Sequence, residues 1–266
     1  MPFTPTHALA AIPLNWLWSR NATFSSLVIG TMVPDWPLYV PLSPTYGVTH
    51  SLPGLFSSCL PIGFALAVFF HLALKRALFE LLPDGLKGRV FRYVDVPSIL
   101  QPATLLGIAI AVVTGAASHI VWDAFTHGGA WGVALIPELN QTIISAGGVD
   151  LPAYMVLQHG FTLLSAPLFV LIFLAWYRRS EVRAIPAARL APPAQRLWQV
   201  ILLGVPAALM TVTTVYMLSA VSLRSGIYLL VYGVTRTGLV LLILLVAFAF
   251  FFAMTGRGRE AVESSP

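Results

Sequence analysis

Six ionisable residues of this chain lie in or beside apolar segments, and their types are those that bind metal ions or exchange protons. They are His7, Asp35, His50, His119, Asp123 and His127. Ionisable side chains are costly in or near hydrocarbon, so each of the six is a functional candidate. Imidazoles combined with two carboxylates suit zinc, or another first-row divalent ion, better than magnesium or calcium. One zinc ion needs fewer ligands than six, so two ions, or one ion with a general base, are both compatible with the set.

The spacing of three of these residues predicts a shared helical face. His119, Asp123 and His127 are four residues apart within ASHIVWDAFTHGG. Residues four apart in an α-helix lie one turn apart on the same face, as the paired ligands of zincin helices do. Gly128 and Gly129 follow directly and predict the end of the helix, so the position of His127 is less fixed than that of the other two.

Packing is the alternative role for these residues. A histidine in a helical membrane protein is often a hydrogen-bonded packing residue, and Asp35, close to Pro34 and Pro37, also fits a turn. Cys59 is the only cysteine of the chain, and it lies in an apolar stretch where it fits a small packing residue. A lone cysteine excludes Cys-rich zinc sites and iron–sulfur sites.

The composition predicts a membrane protein rather than a soluble domain. Of the 266 residues, 58% are hydrophobic and 9% are charged, whereas an average soluble domain carries about 25% charged residues. A helix needs roughly 20 apolar residues to cross a bilayer core about 30 Å thick. Five blocks meet that length: 52–74, 99–121, 154–177, 198–220 and 237–254. The predicted fold class is therefore all-α, a polytopic transmembrane helix bundle.

Two shorter apolar stretches, residues 5–18 and 22–33, precede these blocks. Each is too short to span comfortably, so they form either a re-entrant or interfacial hairpin or two short tilted spans. No basic residue precedes the apolar start of the chain, so no cleaved signal peptide is expected. We expect one helical domain over residues 1–256 and a disordered cytoplasmic tail over residues 257–266.

The basic residues predict the orientation of the helices. Twelve of the 15 Lys and Arg residues fall within 75–92, 178–196 and 257–259, on one side of the membrane if the five blocks alternate. By the positive-inside rule that side is the cytoplasm, where the C-terminus then lies. The loop 122–153 has no Lys or Arg and falls on the opposite side, together with His50. Asp35, His50 and the residues at the end of the second block thus gather at the extracytoplasmic face, and His7 joins them if the short stretches form a hairpin that enters from that face. The net charge of +5 reflects topology rather than nucleic-acid binding.

Four segments together resemble a family of uncharacterised bacterial multi-pass membrane proteins, a domain of unknown function. They are MPFTPTHA, GTMVPDW, THSLPG and SHIVWDAFTH, and the resemblance covers roughly residues 1–180. The chain is more loosely similar to inner-membrane proteins described as metal-dependent hydrolases, which share an early His, a PD dipeptide, a THS-type segment and a helical HxxxD. That similarity implies a location in the bacterial inner membrane and a site made of His7, Asp35, His50, His119 and Asp123. His127 has no counterpart in that pattern.

Two classes of function are compatible with these residues. The first is a metal-dependent hydrolase with zinc as the expected ion and with Asp35 or Asp123 as general base. A site at the membrane surface favours a lipid or a phosphodiester headgroup as its substrate. The second is non-enzymatic: the same residues form an ion or proton pathway in a transporter, or tie helices together in a structural protein. A pathway needs ionisable residues across the whole membrane, whereas these residues crowd at one end.

Overall fold

The computed structural model describes residues 4–15, 21–41, 44–94, 99–146, 149–185, 190–219 and 223–263. Within these residues the chain is helical apart from one two-stranded hairpin, which confirms the predicted all-α class. Six long helices are labelled here: α1 (Asn21–Met32), α2 (Leu52–Leu81), α3 (Pro102–Thr126), α4 (Ala153–Arg179), α5 (Pro192–Leu218) and α6 (Leu223–Glu263). Short helices cover Thr4–Ala10, Ala11–Leu14, Val33–Asp35, Trp36–Tyr39, Tyr46–Thr49, Asp84–Val90, Phe91–Tyr93, Trp131–Leu135 and Pro137–Asn140.

Five helices of the described part are long and apolar enough to cross a membrane, namely α2, α3, α4, α5 and the Leu229–Thr255 part of α6. They match the five predicted blocks. Leu163, Leu203 and Phe250 are large apolar side chains that these helices leave exposed. Such surfaces suit lipid, so the chain fits an integral membrane protein.

Helices α2 and α6 extend well past the apolar blocks that predict them. Helix α2 continues beyond residue 74 through Lys75 and Arg76 to Leu81. A π-helical turn over Leu55–Cys59 precedes Pro61, whose ring removes an N–H donor and crowds the turn before it. Helix α6 continues to Glu263.

The single domain over residues 1–256 and the disorder of residues 257–266 stay predictions.

The first short stretch, residues 5–18, is helical over the part that the structure describes, and the second is helix α1. With 12 residues, α1 is about 18 Å long, which is shorter than the hydrocarbon core of a bilayer.

Contacts divide the chain into two compact units, and the first holds all six candidate residues. It comprises residues within Met1–Pro37, Leu42–Val68 and Val96–Ser180. Inside it, α1 packs closely along α3, because Gly30 meets the backbone of Val112 and Gly115 meets the backbone of Leu27. Small residues at both contacts allow the two backbones to approach. This contact fixes the residues that follow α1 against the C-terminal half of α3.

The second unit comprises residues within Leu38–Pro41, Phe69–Asp95 and Glu181–Pro266. Its apolar core joins α5 and α6 to the end of α2 through Ala77, Leu202 and Phe248. The ring of Trp198 lies 5.0 Å from that of Phe248, centroid to centroid.

Candidate metal centre

Four of the six candidate side chains meet in the first unit. Asp35 ends the short helix that follows α1, and His50 follows the short helix Tyr46–Thr49. His119 and Asp123 lie one turn apart on α3. One ligand atom from each of the four lies within 4.8 Å of every other, and the group could hold a metal ion.

The distances between these four atoms match the edges of a tetrahedron around one ion. The Nε2 atoms of His50 and His119 are 3.2 Å apart, and Asp35 Oδ1 is 3.7 Å from each of them. Asp123 Oδ2 is 3.5 Å from His50 Nε2 and 3.3 Å from His119 Nε2. A tetrahedral ion with ligands at about 2.0–2.2 Å has edges of about 3.3–3.6 Å. Five of the six edges therefore lie close to the values that one zinc ion requires.

Backbone carbonyl groups orient both imidazole rings toward the centre of this group. His119 Nδ1 is 2.7 Å from the carbonyl oxygen of Thr31, and His50 Nδ1 is 3.0 Å from that of Tyr46. A carbonyl oxygen only accepts, so each Nδ1 carries the proton and each neutral ring presents its Nε2 lone pair to the centre. Metal-binding histidines are commonly oriented in this way. The two facing lone pairs need a cation between them, either a metal ion or a proton.

A second set of hydrogen bonds fixes the segment that carries Asp35. The buried hydroxyl of Thr49 donates to the carbonyl of Pro34 at 2.6 Å. Cys59 Sγ donates in turn to the carbonyl of Thr49 at 3.3 Å. Cys59 is thus a buried packing residue of α2 that supports the site.

The two carboxylates differ in how their second oxygens are used. Asp35 Oδ2 accepts a hydrogen bond of 2.6 Å from the buried hydroxyl of Thr4, which leaves Oδ1 for the centre. Asp123 Oδ1 is buried and has no hydrogen-bond partner among the described residues. It faces His7 Nε2, likewise without one, at 3.5 Å. Asp35 therefore presents one fixed oxygen to the centre, whereas Asp123 has one buried oxygen that accepts no hydrogen bond among the described residues.

His7 lies against the four-residue group rather than in it. Its ring stacks on that of His119 with centroids 3.8 Å apart. Burial, and then the neighbouring His119, lower the pKa of His7 to about 3 even though Asp123 opposes this shift. The His7 ring is therefore neutral at physiological pH, and a neutral ring does not repel a cation bound next to it.

His127 is displaced from the helical face that its spacing predicts. Helix α3 ends at Thr126, and the backbone of His127 is extended, with φ −126° and ψ 128°. Its Nδ1 is 3.1 Å from the backbone carbonyl of Asp123 and 3.6 Å from Asp123 Oδ2, while its Nε2 lies 3.2 Å from Gln158 Nε2. Burial lowers the pKa of His127. The structure thus places His127 at the edge of the group, where it contacts Asp123 and Gln158.

Sequence reasoning missed the groups that orient the candidate ligands, above all Tyr46 and Thr4. The Tyr46 ring stacks on that of His50 at 3.8 Å, and its hydroxyl lies 3.4 Å from Asp123 Oδ2. Burial raises the pKa of Tyr46 well above its usual value, so it stays a hydrogen-bond donor. Tyr46 stands four residues before His50, and that helical spacing was a usable signal. Nothing in the sequence pairs Thr4 with Asp35.

Five apolar spans, and a largely buried His/Asp group with five ligand-atom distances close to those around one ion, define a polytopic helical membrane protein that could hold a metal ion. The chain belongs to the family described as Domain of unknown function (DUF4184), whose model matches residues 1–250. This match confirms the resemblance to an uncharacterised family and extends it well past residue 180. No curated protein and no solved structure matches the chain.

Proposed function

We propose that this chain is a membrane-embedded metal-dependent hydrolase with zinc as its ion. The observation that carries the proposal is the set of ligand-atom distances between Asp35, His50, His119 and Asp123. A divalent ion held there would lower the pKa of a bound water and polarise the scissile group of a substrate. The two nitrogen donors favour zinc over magnesium or calcium.

The residues take different roles in this proposal. Asp35, His50 and His119 are the ligands, because hydrogen bonds to Thr4, Tyr46 and Thr31 hold them in place. Three protein ligands with one open position are typical of catalytic zinc, whereas four close the site.

Asp123 is the general base in this arrangement, because its Oδ2 faces the centre, 3.3 Å from His119 Nε2, where it can accept a proton from a bound water. The hydroxyl of Tyr46 donates to Asp123 Oδ2 at 3.4 Å and orients the carboxylate, and His7 Nε2 lies 3.5 Å from Oδ1. His127 contacts Asp123 from the outer edge and is not needed as a ligand.

The site lies at the extracytoplasmic face of the bacterial inner membrane in this proposal, and the C-terminus is cytoplasmic. The distribution of Lys and Arg supports this orientation. His50 shortly precedes α2, and His119 and Asp123 lie near the end of α3, which supports a position near the membrane surface. A lipid or a phosphodiester headgroup is the substrate that such a position suits.

An ion or proton pathway is the second candidate, and one observation weighs against it. Residues 102–118 of α3 and 52–70 of α2 contain no ionisable side chain except Cys59. A pathway needs polar relays along its length. The remaining alternative is a structural metal site in which all four residues bind the ion. Substitutions of Asp35 and Asp123 distinguish such a site from that of a hydrolase.

The direct test is hydrolysis of a phosphodiester by purified protein in detergent, with bis(4-nitrophenyl) phosphate as the probe. We expect turnover with zinc, loss after removal of metal with a chelator, and recovery when zinc is returned. The matched variants are His119→Ala, which removes a ligand, and His159→Ala, which removes an exposed histidine of α4. Turnover that is equal in both variants, or that survives chelation, would overturn the proposal.

A further inference from the structure

The segment between α3 and α4 presents an apolar surface next to the candidate site. It contains the short helix Trp131–Leu135 and the antiparallel strands β1 (Thr142–Ala146) and β2 (Val149–Pro152). Five large apolar side chains of this segment are exposed, and we call them the apolar loop face: Trp131, Leu135, Ile136, Ile143 and Ile144. Leu135 is 69% exposed and Ile143 is 57% exposed.

This segment is fixed to the ends of both helices that flank it. Val133 is buried, and Gly132 packs against the backbone carbonyl of Ala124 in α3. The Trp131 ring meets that of Phe125 edge to face at 5.4 Å. At the other end, the amide of Ala153 donates to the carbonyl of Gln141 at 3.0 Å. The apolar loop face is therefore held at the end of α3 that carries Asp123.

We propose that the apolar loop face inserts into the interface of the lipid bilayer beside the His/Asp group. Five large apolar residues on one short segment are costly in water, and a lone two-stranded hairpin is marginally stable there. The exposed surface continues onto the spans, where Val121 of α3 and Leu157 of α4 are also exposed. The face is thus an extension of a surface that already suits lipid.

Polar groups of the segment set the depth of this insertion. Glu138 is exposed, and Ser145 donates to Asp150 at 2.6 Å across the hairpin. The edges of the hairpin also carry backbone N–H and C=O groups, and such polar groups are tolerated among lipid headgroups but not in hydrocarbon. Tryptophan prefers that same region. The segment therefore lies among the headgroups and the first part of the acyl chains.

The charge of the segment indicates how it binds. Residues 127–152 contain Glu138 and Asp150 but no Lys or Arg. Attraction to anionic headgroups is thus excluded as the driving force, and burial of apolar side chains remains. Binding of this kind is insensitive to salt and does not require anionic lipid.

Spin-label accessibility in phosphatidylcholine vesicles tests the proposal. Cys59 is the only cysteine, so Cys59→Ala gives a background for single labels at Leu135→Cys and Ile144→Cys, with Glu138→Cys as the matched control. Labels at 135 and 144 should collide mainly with oxygen, and a label at 138 mainly with a water-soluble nickel chelate. Preference for the chelate at all three positions would overturn the proposal. So would shielding from both reagents at 135 and 144, which indicates a protein partner.

A second measurement needs no cysteine and uses the chain with all its tryptophans. Vesicles of brominated phosphatidylcholine should quench part of the fluorescence, and Trp131→Phe should remove a component of that quenching. The wild-type result should be the same at low and high salt. Equal quenching in the wild type and Trp131→Phe would contradict insertion at this position.

Discussion

The Nε2 atoms of His50 and His119 face each other at 3.2 Å, while the Nδ1 of each ring donates a hydrogen bond to a backbone carbonyl oxygen. In this arrangement the Nε2 lone pairs of the two neutral rings point at each other, which is unfavourable without a cation between them. Asp35 and Asp123 add negative charge at the same point. The geometry is thus prepared for a positive charge, which in our proposal is a metal ion.

The two carboxylates should respond differently to removal of their charge. Asp35→Asn should lose the metal, because Asp35 is a ligand that Thr4 holds in place. Asp123→Asn should keep the metal but lose about 10²–10⁴-fold in turnover, since a general base contributes on that order. Metal content and hydrolysis are measured on the same preparations. Loss of metal from both variants would show that Asp123 is a fourth ligand, as in a closed structural site.

Thr4 should support metal binding without touching the ion. Its hydroxyl donates to Asp35 Oδ2 at 2.6 Å, and loss of such outer contacts typically costs about 10–100-fold in metal affinity. Thr4→Val should weaken zinc binding by that factor in a competition titration. Thr6→Val is the matched control, because the buried Thr6 hydroxyl has no hydrogen-bond partner among the described residues. A Thr4→Val variant that binds zinc as tightly as Thr6→Val would contradict the role of Thr4.

The close contact between α1 and α3 should be necessary for the site. A Cβ at Gly115 would lie 2.4 Å from the carbonyl oxygen of Leu27, so Gly115→Ala must separate the helices. We expect a loss of about 1–3 kcal/mol in stability, together with weaker zinc binding, because α1 carries the Thr31 carbonyl group that orients His119. Thermal unfolding in detergent and zinc titration measure the two effects.

Gly107 provides the control on the same helix. A Cβ at Gly107 would meet only the methyl group of Thr23 at 3.4 Å. Gly107→Ala should therefore be neutral or raise stability by up to about 1 kcal/mol through helix propensity. If Gly115→Ala and Gly107→Ala unfold at the same temperature, the close contact does not matter for stability.

The apolar loop face should affect lipid substrates more than soluble ones, a prediction that depends on both proposals. Ile144→Asp or Leu135→Asp places a charge where we expect lipid, and charges are unfavourable there. Hydrolysis of a phosphodiester lipid in vesicles should fall in these variants, whereas hydrolysis of bis(4-nitrophenyl) phosphate should stay unchanged. An equal fall on both substrates would indicate general damage to the site rather than loss of lipid contact.

Much of the fold follows from the sequence because a bilayer imposes a minimum apolar length on each span. The ends of the helices do not follow as well. Lys75 and Arg76 interrupt the hydropathy of α2, yet its backbone continues to Leu81, since a charged side chain does not stop helical hydrogen bonding. Hydropathy therefore located the spans better than their ends.

The candidate site was predictable where local spacing decides it. His119 and Asp123 share a face because α3 is regular through both. The position of His127, which the following glycines left less fixed, depends on its extended backbone after the end of α3. The contacts of Thr4 with Asp35 and of His119 with the Thr31 carbonyl join distant segments, and only tertiary packing brings them together.

Metal content of the purified protein tests the central claim most directly. Elemental mass spectrometry should find about one zinc ion per chain in the wild type and in His159→Ala, and none in a folded His119→Ala variant, because His119 is one of the three ligands in our proposal. Added zinc should also raise the unfolding temperature of metal-free wild type. A wild-type protein that contains no metal, and whose unfolding zinc does not shift, would contradict the account.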